Sequence, residues 1–159
     1  MAPMKKSNQE AVTSNQVGRI KSISVSKKKG TKKKNISIAV LKEDFGIIGD
    51  AHGGSKRQVS LLAEESIEKM RQKGVDVTSG DFAENITTKG IDLMGLKLGS
   101  RLRIGKSALL EITQIGKVCH SRCDIYYQVG DCVMPKEGIF GKVLKGGVIK
   151  PKDKIEVIE

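Results

Sequence analysis

The chain has no tryptophan, three phenylalanines and two tyrosines. A platform that stacks single-stranded nucleic acid needs exposed aromatic faces, so none is expected here. No apolar run approaches the roughly 18 residues of a membrane span. The first sixteen residues, MAPMKKSNQEAVTSNQ, lack the apolar core of a secretory signal. A cytoplasmic protein is therefore expected. Three cysteines in a reducing compartment argue against a disulfide framework. Acids are nearly missing from residues 1–34, where ten Lys or Arg face Glu10 alone, so +9 of the net +11 lies there. The remainder is close to neutral, and the basic character is a local feature.

What is present is glycine, eighteen residues of it in 159, well above the usual share of about 7%. Short apolar–polar alternations lie between the glycines. "VGRIKSISVS" alternates as a strand, with Ile23 and Val25 on one face. "KKKGTKKK", Lys27 to Lys34, reads as an exposed hairpin tip turning at Gly30, and "NISIAVL" as the return strand. "GIIGDAHGGSKRQVSLL" is a loop-rich stretch ending in a short strand. "SLLAEESIEKMRQKG" is the clear helix, with Ser60 as its cap, Ala63, Ile67 and Met70 on one face, and Gly74 at its end. "GVDVTSGDFAENITTKGID" reads as turn, strand, turn. "GSRLRIG", "ALLEITQIG" and "DKIEVIE" are further strands, and "EGIFGKVLKGG" allows a second short helix stopped at Gly146–Gly147. The expected fold is mainly β: a small barrel of about seven or more strands with one clear helix. Residues 1–16 read as a flexible arm and 17–159 as a single domain.

Reactive side chains concentrate in "KVCHSRCDIYYQVGDC", Lys117 to Cys132, which holds every cysteine and both tyrosines. Cys119 and Cys123 have C-x3-C spacing, which a structural zinc site can use, but no second ligand pair follows. Cys132, beside Val133 and Met134, fits a small buried hydrophobe. Lys117, His120 and Arg122 surround Cys119 and Cys123 with cations, and cations stabilise the thiolate that acts as nucleophile or soft-metal ligand. "GDAHGGSKRQV", Gly49 to Val59, lacks the P-loop pattern, yet its glycines with Lys56 and Arg57 suit an anion. A connecting loop with a solvated basic pair explains the same residues. His52 is a candidate general base there. In "SGDFAENITTKG", Asp81 and Glu84 are acids near Asn85, and strand alternation sends Glu84 and Asn85 to opposite faces. Turn chemistry with surface charge is the simpler account of that segment. The basic run Lys27–Lys34 is the one candidate surface for nucleic acid or another anionic partner.

"GDAHGG…RQVSLL", "GDFAENITTKGIDL", "LGSRLRIG", "LLEITQIGKVCHSRC" and "GGVIKPKDKIEV" occur in this order. Together they resemble the MOSC domain, named after the C-terminal domain of molybdenum cofactor sulfurases, in its compact stand-alone bacterial form, over about residues 17–159. The resemblance implies a β-barrel with a few helices and an association with molybdenum cofactor and sulfur transfer. It implies that a cysteine after the "EITQ" strand carries sulfur or ligates molybdenum. The distance from Gln114 favours Cys119, and the Arg-Cys dipeptide favours Cys123. The pterin phosphate maps onto Arg57 and the segment of Asn85 and Thr87, with His52, Lys117 and Arg122 as further cofactor-binding candidates. The expected partners are molybdenum cofactor and its biosynthetic or acceptor proteins. No pyridoxal phosphate domain is expected in this chain, and no amidoxime-reducing N-terminal β domain.

Overall fold

A computed structural model describes residues 16–29, 31–116 and 134–158. Its strands are β1 (Val17–Val25), β2 (Lys34–Ile36), β3 (Ala39–Lys42), β4 (Gly46–Ile47), β5 (Val59–Ala63), β6 (Ile86–Lys89), β7 (Arg101–Ile104), β8 (Ala108–Ile115), β9 (Ile139–Lys145), β10 (Gly147–Ile149) and β11 (Lys154–Ile158). Helix α1 spans Glu64–Gln72, α2 is a single turn at Met134–Glu137, and a 3-10 turn covers Leu93–Gly95. Seven strands close into a barrel in the order β1, β11, β7, β8, β9, β5, β6 and back to β1. Every neighbouring pair in the ring is antiparallel except β5 with β6. That exception has a local cause: α1 carries the chain back along the barrel, and a parallel neighbour needs such a crossover. β2 extends β1 as a hairpin, and β10, β3 and β4 form a second, three-stranded sheet.

Period-2 alternation fills the barrel. Leu102 and Ile104 of β7, Ala108, Leu110 and Ile112 of β8, and Ile155 and Val157 of β11 all point inward and are buried. In β1 the phase slips. Ile20 and Ile23 are three apart yet both buried, because the pairing with β6 shifts register between Ile20 and Ser22. A bulge of this kind turns one extra residue and re-aims those that follow. β5 is buried at all five positions. Val59, Leu61 and Ala63 face the barrel interior, while Leu62 joins Ile67 and Met70 of α1, Val75, Val77, Phe82 and Phe140 in a second cluster outside it. No helix among the described residues is long and apolar enough to cross a membrane.

Three expectations are corrected. Ser60 does not cap α1; it lies inside β5, and the helix begins at Glu64 with Ala63 in the cap position. A run apolar on both faces is more stable paired between two strands than wound into a first helical turn, and β5 bonds to both β6 and β9. The face of Ala63, Ile67 and Met70 is buried as expected, and Gly74, at φ +93°, ends the helix. "EGIFGKVLKGG" is not a helix; its centre is β9, which fills the gap between β8 and β5. The expected return strand "NISIAVL" divides into β2 and β3 around exposed Ile38.

Closure of the ring leaves no room at Gly18, which pairs with Ile155 of β11 while β6 lies on its other side. A Cβ there would sit 2.5 Å from both Ile91 Cγ1 and the Lys89 carbonyl oxygen. Gly18→Ala is expected to destabilise the protein by about 1–3 kcal/mol through overpacking. Thermal unfolding followed by circular dichroism checks this; an unchanged midpoint would show that the seam between β1 and β6 opens freely.

Candidate functional site

Three segments meet at one end of the barrel: the hairpin loop 26–33, the glycine-rich loop 48–58 and the last residues of β8. β1 and β2 pair as a hairpin, with Ile23 opposite Ile36 and Val25 opposite Lys34. Its lysines are not all solvated, however. Lys33 turns inward, and its Nζ lies 2.8 Å from Asp50 Oδ1, both side chains being 0% exposed. The same ammonium donates to Ser26 Oγ at 2.9 Å and lies 3.3 Å from His52 Nδ1. Asp50 also accepts from the backbone N–H of Ser26 and of His52. Burial alone would raise the Asp50 carboxyl, but the hydrogen bonds it accepts from Lys33 and from the Ser26 and His52 backbone N–H groups outweigh it and hold it well below the usual carboxylate range.

Above this buried pair lies an open cleft of about 470 Å³ whose described lining is Lys29, His52, Ser55, Lys56, Arg57 and Gln114. The loop is held by its own side chains. Ser55 Oγ donates to the His52 carbonyl at 2.7 Å and accepts from the Arg57 N–H at 3.2 Å. The Arg57 guanidinium sits 5.5 Å from the centre of the Phe140 ring, a cation–π contact that limits where its donors can point. Gln58 anchors the end of the loop, donating to Asp44 and accepting from the Val143 N–H. Gln114, also in the lining, has its Nε2 donating to the Gly116 carbonyl at 2.8 Å. Three cations and no carboxylate line the described wall, so the cleft favours an anion.

Asn85 and Thr87 stand elsewhere. Asn85 Oδ1 accepts from the Ser60 N–H and hydroxyl, and its amide donates to the Ser24 carbonyl at 3.0 Å. Thr87 donates to Glu84 Oε2 at 2.8 Å, as does the Gly80 N–H, while Phe82 N–H donates to Oε1. All three side chains are buried, so neither Glu84 nor Asn85 presents a face to solvent. Burial pushes the Glu84 carboxyl up, against these hydrogen bonds. Asp81 accepts from the Thr78 N–H in a tight turn. The structure thus brings His52, Lys56 and Arg57 together with Gln114, and sets Asn85 and Thr87 into the joints between β1, β5 and β6.

Lys117, Cys119, His120, Arg122, Cys123 and Cys132 lie outside the described residues. The chain reaches them directly from β8: Gln114 lines the cleft, and the Gly116 N–H donates to the Gly138 carbonyl at 2.7 Å. Among the described residues, no group of three or more His, Cys, Asp or Glu side chains is arranged to hold a metal ion. Lys29, Lys33 and Asp50 were not singled out by the sequence. The one available signal was a lone acid, Asp50, in a loop otherwise rich in glycine and cations.

A family model described as the MOSC domain matches residues 48–156. No match is found among curated proteins. Among solved structures, the YuaD protein from Bacillus subtilis superposes with a TM-score of 0.77 at 20% identity, covering 90% of this chain and 96% of that one. YiiM from Geobacillus stearothermophilus gives 0.66 at 23% identity, covering 89% and 75%. YiiM from Escherichia coli gives 0.62 at 18% identity, covering 89% and 70%. At these identities the likeness is one of fold.

Removing one partner of a buried ion pair leaves an uncompensated charge, so Lys33→Met is expected to destabilise the protein by about 3–5 kcal/mol. Lys34→Met, on an exposed neighbour in the same run, should change stability by less than about 0.5 kcal/mol. Urea unfolding of the two variants distinguishes a buried anchor from a solvated lysine run, and equal effects would refute the anchor. Because the folded Asp50 value is depressed, its contribution is present above the unfolded carboxylate range and lost as pH falls through the folded value.

Proposed function

The chain belongs to the MOSC domain family, which is associated with molybdenum-cofactor-related function, and from that premise we propose that it binds a pterin–molybdenum species and carries sulfur or molybdenum on Cys119 or Cys123. The observation that carries this reading is the cationic cleft at the end of β8, the strand from which the cysteine segment continues. Its volume, about 470 Å³, lies within the roughly 300–1,000 Å³ of small-molecule sites.

The residues fit the phosphate end of such a cofactor. Arg57 offers a planar fork suited to two phosphate oxygens, already oriented by Phe140. Lys29 and Lys56 add charge from the opposite loops, and Gln114 offers an acceptor to a ring N–H. Asn85 ties β6 to β5 behind the loop that carries Arg57, and Thr87 holds Glu84 in the turn before β6. When bound, the cofactor supplies a thiophilic metal or a sulfur acceptor, both suited to a cysteine thiolate. Lys117, His120 and Arg122, next to the thiols in sequence, favour that thiolate. Sulfur loading then needs no oxidant: the thiolate attacks the outer sulfur of a donor persulfide, a new S–S bond forms, and the donor leaves as its own thiolate.

A second reading rests on one observation. Lys27, Lys28, Lys32 and Lys34 line a groove of about 490 Å³ beside the hairpin, with Thr31 and Gly49. An anionic macromolecule held there would lose affinity steeply with salt; shift assays with RNA and DNA showing no salt-dependent binding would exclude it.

Native mass spectrometry of the protein purified from cells is expected to show a species heavier by one sulfur, and bound cofactor. Cys119→Ser/Cys123→Ser should abolish the added sulfur. Arg57→Ala should weaken molybdopterin binding about 10- to 100-fold, following the roughly 1.5–3 kcal/mol of a charge-assisted hydrogen bond. Unchanged affinity and an unchanged mass profile in these variants would overturn the reading.

A further inference from the structure

His52 is one of the residues that line the cleft, and its Nδ1 meets the buried ion pair. The chemistry of that nitrogen is constrained. Lys33 Nζ has three neighbours at hydrogen-bond range: Asp50 Oδ1 at 2.8 Å, Ser26 Oγ at 2.9 Å and His52 Nδ1 at 3.3 Å. An ammonium has three N–H donors and no lone pair. Three acceptors therefore use all three donors, and the lysine side chain, 0% exposed, is closed to bulk solvent. Lys33 can only donate, so His52 Nδ1 must accept. An accepting ring nitrogen carries no proton.

The competing arrangement places a proton on Nδ1 and directs it to Asp50. Its acceptor, Oδ2, lies 3.5 Å from Nδ1, beyond the usual N–H···O range of about 2.7–3.2 Å. The same oxygen already accepts the His52 backbone N–H at 3.0 Å. That proton would also point towards the hydrogens of an ammonium 3.3 Å away. The Lys33 contact is thus the better hydrogen bond, and it excludes the other.

We propose that Lys33 is a positioning residue that fixes His52 as its Nε2–H tautomer, so that the cleft-side nitrogen donates a hydrogen bond to an anionic or oxo oxygen of the ligand. The sequence allows His52 as a general base; in this tautomer its only lone pair is spent on Lys33, and its free edge is a donor. The cleft then presents donors from Lys29, His52, Lys56 and Arg57 together, a set matched to a ligand rich in acceptor oxygens. The donor role rests on the cleft being the ligand site, as proposed above, whereas the tautomer does not. Nothing in the lysine run marks Lys33 for this task; only its burial does.

Two-bond 1H–15N correlation spectra of the full-length 15N-labelled protein at neutral pH read the tautomer directly, with His120→Gln used to assign the two histidines. His52 is expected to show a protonated Nε2 and a bare Nδ1 in the free wild-type protein. A protonated Nδ1 or a doubly protonated ring overturns the proposal, without need of any variant at Lys33. In Lys33→Met, where folded, the Nδ1–H form should appear; an unchanged tautomer there removes Lys33 as its cause. The ligand side is tested with molybdate and with molybdopterin. His52→Gln keeps a donor near the Nε2 position and should hold affinity within about threefold, whereas His52→Asn, with its donor near Nδ1, should lose about tenfold, the worth of one hydrogen bond. Equal loss in both overturns the donor role. If neither probe binds wild-type protein whose His52 is Nε2–H, the reading of the cleft fails and the positioning by Lys33 stands.

Discussion

The arrangement of the cleft depends on one buried ion pair, Lys33 with Asp50. It joins the hairpin loop to the glycine-rich loop, two segments with no strand pairing to each other. Two backbone contacts repeat the join, from the Ser26 N–H to Asp50 and from the Ala51 N–H to the Ser26 carbonyl. The Lys33 N–H also donates to the Gly80 carbonyl, which brings the turn before β6 into the same assembly. A charged pair stripped of water is a poor source of net stability, because desolvation offsets most of the attraction. Its value here is geometric. An ammonium that can only donate and a carboxylate that can only accept admit few arrangements, and each partner is intolerable alone.

The barrel supplies the rigid ends from which these loops start. β5 sits between β6 and β9 and is covered outside by α1, so the loop that carries Arg57 ends on a strand buried at every position. Asn85 and Ser60 tighten that joint by exchanging hydrogen bonds between main chain and side chain. Flexible loops on a fixed scaffold are the common setting for binding residues. In this chain the loops are short of freedom as well, since Asp50 and Ser55 bond within the glycine-rich loop and Gln58 anchors its end to Asp44.

Much of the fold was legible in the chain. The alternation in "RLRI" and the short run "ALLEITQI" between glycines gave β7 and β8, and the spacing of Ile67 and Met70 gave the buried face of α1. Two of the failures share one cause. Val59–Ala63, read both as the end of a short strand and as the start of the helix, and Ile139–Lys145 are apolar on more than one face, so local periodicity does not separate strand from helix. Their partners, distant in sequence, made that choice. At the site, the loop 49–57 stood out because glycine beside Lys56 and Arg57 has a clear chemical meaning. Lys33 did not, because it is one of six lysines in eight residues and only a distant acid distinguishes it.

Composition and pattern alone therefore determined a glycine-rich β protein with its charge gathered at the N-terminal end, one amphipathic helix, and all its thiols in a single segment after β8. Those properties are local, carried by residue type and spacing. Tertiary structure decided which lysine is buried, which nitrogen of His52 meets it, and that Arg57 and Gln114 share one wall while Asn85 joins β6 to its neighbours. Each of these depends on contacts between residues far apart in the chain. A hydrogen bond or an ion pair is made by distance in space, and no spacing along the sequence encodes that distance.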